Sequence, residues 1–322
     1  MKKHLPLLLM IIACTMYGLS LLFTTYVLDA LQGDIFRLLT FRFGAVVLCM
    51  TVMRMLGLIK VDLKGKPLAP LFGMAVLFPT LYFIGESLGV VYAPSSLAGV
   101  MLSVIPVLTT LFGFIFLGEK PGFWQVVLIF ISVIGVLIIN SAASAVGGSQ
   151  IWLGTLLMLG ALLSASFYNI LLRRYGAKYG NMELTYSLSL LAFAVFAVVS
   201  LGQHVVGGTL ASYFAGTGSL RFWGSIFFLS VMCSVVALSM MNYAATRLPV
   251  VVSSSLAGLS TVVAILAGVL LLGEPFGPGD ALGSLLIIGA VLGINLLQNR
   301  QREKAEEPRP GAAANRPPGK NG

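Results

Sequence analysis

The sequence predicts an all-α integral membrane protein: ten transmembrane helices in two inverted five-helix repeats, with both termini cytoplasmic. Three observations carry this. Of the 322 residues, 58% are hydrophobic and only 10% are charged, with a mean hydropathy of +0.97; a soluble domain carries about 25% charged residues. A long segment also occurs twice. Residues 94–140 and 249–295, aligned without gaps, share about a dozen identities, among them Leu117-Gly118-Glu119 with Leu272-Gly273-Glu274 and Asn140 with Asn295. Finally, the basic residues fall on alternate connections between the apolar runs.

Those runs are long enough to cross about 30 Å of hydrocarbon. They cover residues 5–28, 35–58, 68–91, 94–117 and 123–141, then 151–172, 184–202, 220–245, 250–272 and 281–298. Lipid offers the backbone no hydrogen bonds, so each run is expected to be helical. The first repeat is residues 1–141, the linker 142–150 and the second repeat 151–298. The tail, 299–322, is charged and then rich in Pro, Gly and Ala, which predicts disorder. Five spans is an odd number, so the second repeat enters the membrane upside down relative to the first. Lys2-Lys3 before an apolar stretch resembles a signal peptide, and Ile11-Ile12-Ala13-Cys14 a lipoprotein cleavage box. The apolar run continues well past Cys14, however, which reads as a first span.

A net charge of +9 invites a nucleic-acid partner, and position argues against it. One set of connections receives Lys2 and Lys3, then Arg54, Lys60, Lys64 and Lys66, then Lys120. The same side then takes Arg173, Arg174 and Lys178, Arg247, and the basic residues of the tail. The other side has essentially Arg221 alone. This asymmetry records topology with both ends in the cytoplasm, and no nucleic acid is implied. Cys14, Cys49 and Cys233 lie inside spans, without metal or disulfide spacing. There is no Walker loop, no metal-ligating cluster and no nucleophile with a base at working distance. No cofactor is expected, and an enzyme is not the favoured reading.

Several local patterns have plain structural readings. Spans four and nine carry small residues at close spacing: Ser95, Ser96, Ala98, Gly99 and Ser103 in one, Ser253 to Ser255, Ala257, Gly258 and Ser260 in the other. Such faces let helices approach closely. In each Leu-Gly-Glu turn the glycine suits a helix end, with Pro121 or Pro278 nearby for the next start. Glu119 and Glu274 are then expected at the start of that next helix, where the macrodipole favours a carboxylate. Pro79 and Pro106 lie near midspan and allow bending. The stretch 202–219 is the longest outer loop and holds His204, away from any intramembrane chemistry. Arg37 is close enough to the outer surface to snorkel.

The paired segments ending in LGEK and LGEP, Phe41-Arg42-Phe43 in span two and Ile105-Pro106-Val107 in span four resemble the drug/metabolite transporter superfamily, with two EamA-type domains. The resemblance covers residues 5 to 298. It implies ten helices around a central cavity and transport of a small metabolite, often an amino acid moved outward. Alternating access, with the two inverted halves rocking around the cavity, is the mechanism expected from the repeat. Members of that superfamily also carry nucleosides, sugars, nucleotide sugars and amphipathic cations.

Candidate site residues follow from depth. Arg42 sits seven residues into span two, about 10 Å below the outer face at about 1.5 Å per residue. Glu86 lies about 8 Å from the same face by the same rise. An ionisable residue within a span is a functional-site hypothesis by default. Three readings stay open for the pair: a static ion pair, a grip on a zwitterion with Glu86 on the amine and Arg42 on the carboxylate, and Glu86 as a proton carrier. Tyr17, Tyr82, Ser103, Asn169 and Asn242 would complete the lining. Tyr82 is one turn from Glu86 on the same helix face. The second repeat places Met241 opposite Glu86 and Asn242 opposite Ser87. The expected partners are a small-molecule substrate, with protons as candidate coupling ion, and the lipid bilayer of the cell membrane. A sugar or nucleotide-sugar antiporter, a non-transporting scaffold and an intramembrane enzyme remain as alternatives.

Overall fold

The computed structural model describes residues 5–117, 122–147, 150–245, 247, 248 and 250–306, and all regular structure within them is helical. Span one is α1 (Leu5–Ala30) and span two is α2 (Ile35–Met55). Span three is broken into α3 (Leu68–Ala75), a run of wider π-type turns (Val76–Leu81) and α4 (Tyr82–Tyr92). Span four is α5 (Ser95–Leu102) followed by α6 (Ile105–Leu117), and span five is α7 (Phe123–Gly147). The second half repeats the scheme with α8 (Gln150–Tyr175) and α9 (Asn181–Val206). Its third member is α10 (Leu220–Phe227), π-type turns (Phe228–Ala237) and α11 (Leu238–Ala245). It ends with α12 (Val250–Leu271) and α13 (Pro278–Glu306). Among the described residues, eight stretches are long and apolar enough to cross a membrane. The two remaining expected spans fall on α7 and α12, whose described apolar stretches, Phe123–Ile139 and Gly258–Leu271, are shorter.

Packing follows the repeat. Counterparts meet across the two halves: α2 lies on α9, α5 on α12, and α7 on α13. The cross-pairs come in matching sets as well, α1 against α12 and α11, and α8 against α5, α6 and α4. A pseudo-two-fold axis between the halves requires this pattern. The α7–α13 crossing is close because glycines face each other. A Cβ on Gly135 would lie 2.8 Å from the Gly283 carbonyl oxygen, and one on Gly283 would lie 2.6 Å from that of Gly135. Without a hydrophobic drive between helices in lipid, such backbone approach is a main source of association.

Three expectations change. The linker shrinks, because α7 continues to Gly147 and α8 starts at Gln150. At the other end α13 runs to Glu306; its last residues, Gln298 to Glu306, are mostly good helix formers that need no lipid to stay helical. The rest of the tail, and the Gly118 to Pro121 turn, lie outside the described residues.

The third change concerns Arg37, which does not snorkel. It is 6% exposed and donates to the carbonyls of Tyr213 at 2.9 Å, Ser212 at 3.2 Å and Leu31 at 3.2 Å. Its Nε lies 3.1 Å from Asp34, whose other oxygen caps α2 by accepting from the Arg37 N–H. Arg37 thereby fastens the loop after α9 onto the start of α2.

Candidate functional site

The site is built where two spans lose regular helix. In span three Phe78 is extended (φ −142°, ψ 117°), as the residue before a proline prefers. The break frees backbone carbonyls, and Ser164 on α8 donates to that of Leu77 at 2.8 Å. The corresponding turns of the second half, Phe228–Ala237, are irregular too, and Ser230 there donates to the Arg42 carbonyl at 2.8 Å. Interrupted helices at matching places in two repeats point to a binding site between them. In span four, Ser103 and Val104 form a turn before α6, and Pro106 supplies no N–H to continue the α5 ladder.

Between α1, α2, α4, α5, α12 and α13 lies a cavity of about 430 Å³. Tyr17, Arg42, Tyr82, Glu86 and Ser103 all line it. Arg42 and Glu86 are each 4% exposed. Their nearest charged atoms, Nη1 and Oε2, are 4.0 Å apart, beyond a hydrogen bond. The other Glu86 oxygen accepts from the Tyr82 hydroxyl at 2.8 Å. The guanidinium lies over the Phe83 ring, 4.2 Å from its centre, and its Nε has no hydrogen-bond partner among the described residues. A cation and an anion therefore share one wall while each keeps hydrogen-bonding capacity for a third group. The adjoining wall is aromatic: the Phe78 ring centre lies 4.9 Å from Tyr82, 5.5 Å from Phe83 and 5.0 Å from Tyr168.

Asn169 is not part of this lining. Its amide donates to the Thr109 hydroxyl at 3.4 Å, tying α8 to α6. The Asn242 side chain lies outside the described residues. The cavity also brings in Phe78, Phe83, Thr261 and Asn295, which depth and charge did not single out. Asn295 carried a signal, since it closes the second copy of the repeat as Asn140 closes the first. Phe78 and Phe83 carried none, because apolar rings are ordinary in a span. A second cavity, about 370 Å³ beside Pro94 and the turn from Pro275 to Asp280, gathers none of the candidate residues. Among the described residues no three His, Cys, Asp or Glu side chains come together as a metal site.

Glu274 does not sit at the start of the helix that follows it. That role belongs to Asp280, which accepts from the Gly277 N–H at 2.8 Å, as Gln125 does from Gly122 at 2.9 Å in the first half. The Glu274 carboxylate instead reaches the other repeat. It accepts from the Ser95 N–H at 2.7 Å, the Ser95 hydroxyl at 2.8 Å and the Ser96 N–H at 2.8 Å.

Comparison with known proteins gives this architecture a family. Residues 4–141 and 152–296 each match the EamA-like transporter family. The chain is 30% identical over 291 residues to the uncharacterized transporter YcxC of Bacillus subtilis strain 168, covering 90% of this chain and 93% of that one. It is 25% identical to the uncharacterized inner membrane transporter YedA of Escherichia coli K12, covering 72% and 74%. A probable terminal-alkyne amino-acid exporter of Streptantibioticus cattleyicolor is also 25% identical, over 79% of this chain and 81% of that one. A crystal structure 18% identical in sequence shares the fold at a TM-score of 0.51, with 92% of this chain and 98% of the other aligned. With both halves matched, this multi-pass membrane protein belongs to the EamA-like transporter family.

Proposed function

We propose that the chain is a secondary transporter of the cytoplasmic membrane that exports a small zwitterionic metabolite, an amino acid or a close relative, by alternating access. In this reading ten helices cross the bilayer, both termini are cytoplasmic, and the two inverted halves rock about the shared cavity. The observation that carries the substrate class is the Arg42 and Glu86 pair, held 4.0 Å apart on one wall. A zwitterion offers a carboxylate to Arg42 and an ammonium to Glu86. The Tyr82 hydroxyl steadies Glu86, and the aromatic wall receives an apolar side chain. The cavity, about 430 Å³, falls in the range of small-ligand pockets, about 300–1,000 Å³. The amino-acid exporter among its relatives supports the same class.

A nucleotide-sugar or sugar-phosphate substrate fits less well. A polyanion needs several converging cations, and Arg42 is the cation on this lining. The test is purified protein in proteoliposomes loaded with a labelled panel of amino acids, sugars and nucleotides. Efflux of one or more amino acids, competed by related zwitterions, is the expected result. Efflux confined to sugars or nucleotides, or no flux across the whole panel, overturns the reading.

A further inference from the structure

The Glu274 carboxylate is in an unusual place for a turn residue, and the backbone explains how it gets there. Gly273 takes a left-handed conformation (φ +69°), so the Glu274 N–H folds back onto the Gly268 carbonyl at 3.1 Å. The bond reaches six residues back, one further than in the common glycine-terminated helix end. The side chain then crosses over Gly268, where a Cβ would lie 2.3 Å from the Glu274 carboxylate and 3.0 Å from the Ser96 Cβ. Only a bare backbone at that point leaves the carboxylate a path to α5. The arrangement was written twice in the sequence: Gly113 precedes Glu119 by the same spacing as Gly268 precedes Glu274.

Three donors at the start of α5 receive the charge, and those N–H groups have no partner within their own helix. One turn further along, α5 and α12 touch. A Cβ on Gly99 would lie 2.3 Å from that of Ala264, and both residues form the near end of the cavity. Beyond that contact span four leaves α12, because α6 packs on α8 and α13. Span four and α12 are thus joined at the α5 N-terminus and part toward the other end.

We propose that Glu274 is the latch of the cavity mouth at the α5 N-terminus, the mouth that the distribution of basic residues places on the outer face. With the carboxylate seated on Ser95 and Ser96 the mouth is shut. For the cavity to empty on that side α5 and α12 must separate, and Glu274 must exchange its three donors for water. Glu274 is only partly buried, so water can take them over. The latch rests on the alternating-access reading, and its test uses labelling rather than flux, so the two fail separately.

The experiment uses the full chain in membranes, with Cys14, Cys49 and Cys233 replaced by alanine and Leu102→Cys placed on the cavity wall. A membrane-impermeant thiol reagent is applied to right-side-out and to inverted vesicles. Glu274→Gln weakens a charge-assisted set of hydrogen bonds, and the ratio of outer to inner labelling should rise about tenfold. Ser95→Pro should do the same. It removes one N–H and the hydroxyl, while proline is tolerated at the first position of a helix. If both variants fold and the ratio stays that of the parent, Glu274 is a static cap and the latch is wrong. If Glu274→Gln is too unstable to label, Ser95→Pro alone decides by the same ratio.

Discussion

Arg42 and Glu86 are near enough to feel each other's charge, yet the hydrogen bonds that would saturate them are missing. Glu86 has one oxygen on Tyr82, and Arg42 leans on a ring. A residue pair that served only to join two helices would gain most from closing to a short, bidentate contact. The 4.0 Å separation leaves each group a separate hand. Competition chemistry can read them one at a time. In the parent, an amino-acid substrate should be outcompeted at least about tenfold better by another amino acid than by its N-acetyl derivative or its amide, the worth of one charged hydrogen bond. Glu86→Gln should abolish the preference over the N-acetyl compound and keep that over the amide; Arg42→Gln should do the reverse. Equal loss of both preferences in each variant would mean the pair acts as one structural unit. The pair was legible in the sequence from depth, and Tyr82 from its four-residue spacing to Glu86. Asn169 was not, because depth fixes height in the membrane but not which way around the helix a side chain faces. Each residue turns that direction by about 100°.

Elements were legible wherever lipid dictated them, and obscure wherever the partner was distant in sequence. The apolar runs gave the helices because hydrocarbon permits little else. Pro79 marked the break in span three to within a residue, at Phe78. Pro106 marked the one in span four, three residues after Ser103. The clasp of Arg37 was hidden because the acceptors that make it, the Ser212 and Tyr213 carbonyls, lie in a loop some 175 residues later, and carbonyls have no signature in a sequence. The reach of Glu274 was hidden for a related reason: a helix N-terminus accepts any nearby carboxylate, and the nearest in sequence is not the nearest in space. Small residues, by contrast, announce close packing without naming the partner. At the α7–α13 crossing that partner is now defined, and it gives an element-scale prediction. Gly135→Val and Gly283→Val each force backbones apart against 2.8 Å and 2.6 Å approaches. Overpacking of this kind costs about 1–3 kcal/mol, so melting in detergent should drop clearly for both. Gly289→Ala, with nothing among the described residues within 4 Å of the new Cβ, should match or slightly exceed the parent. If the valine variants melt like the parent, the α7–α13 contact does not hold the halves together.

At the scale of the whole molecule, the decisive relation is between the cavity and the seam. The halves meet through counterpart helices, and the charged wall belongs to α2 and α4 of the first half while Thr261 and Asn295 on the facing side belong to α12 and α13 of the second. Rotation of one half against the other therefore must change the distance between the two walls, and a ligand spanning them will favour the state that fits it. A molecule that binds the folded state stabilises it by about 2.7 kcal/mol at a hundred times its dissociation constant, so substrates should raise the melting temperature measurably. Ser103 lies on this cavity at the turn between α5 and α6 and is partly exposed to it. Ser103→Trp should therefore fold, filling empty space rather than displacing packed atoms. It should also lose both flux and the substrate-dependent rise in melting temperature. A protein whose cavity is only a packing defect behaves otherwise: the tryptophan would stabilise it, and no substrate would shift the melting of the parent. The two outcomes differ in the parent alone, before any variant is made. A melting screen against amino acids, sugars and nucleotides is thus the first measurement, and an empty screen with a stabilised Ser103→Trp would end the transporter reading of this site.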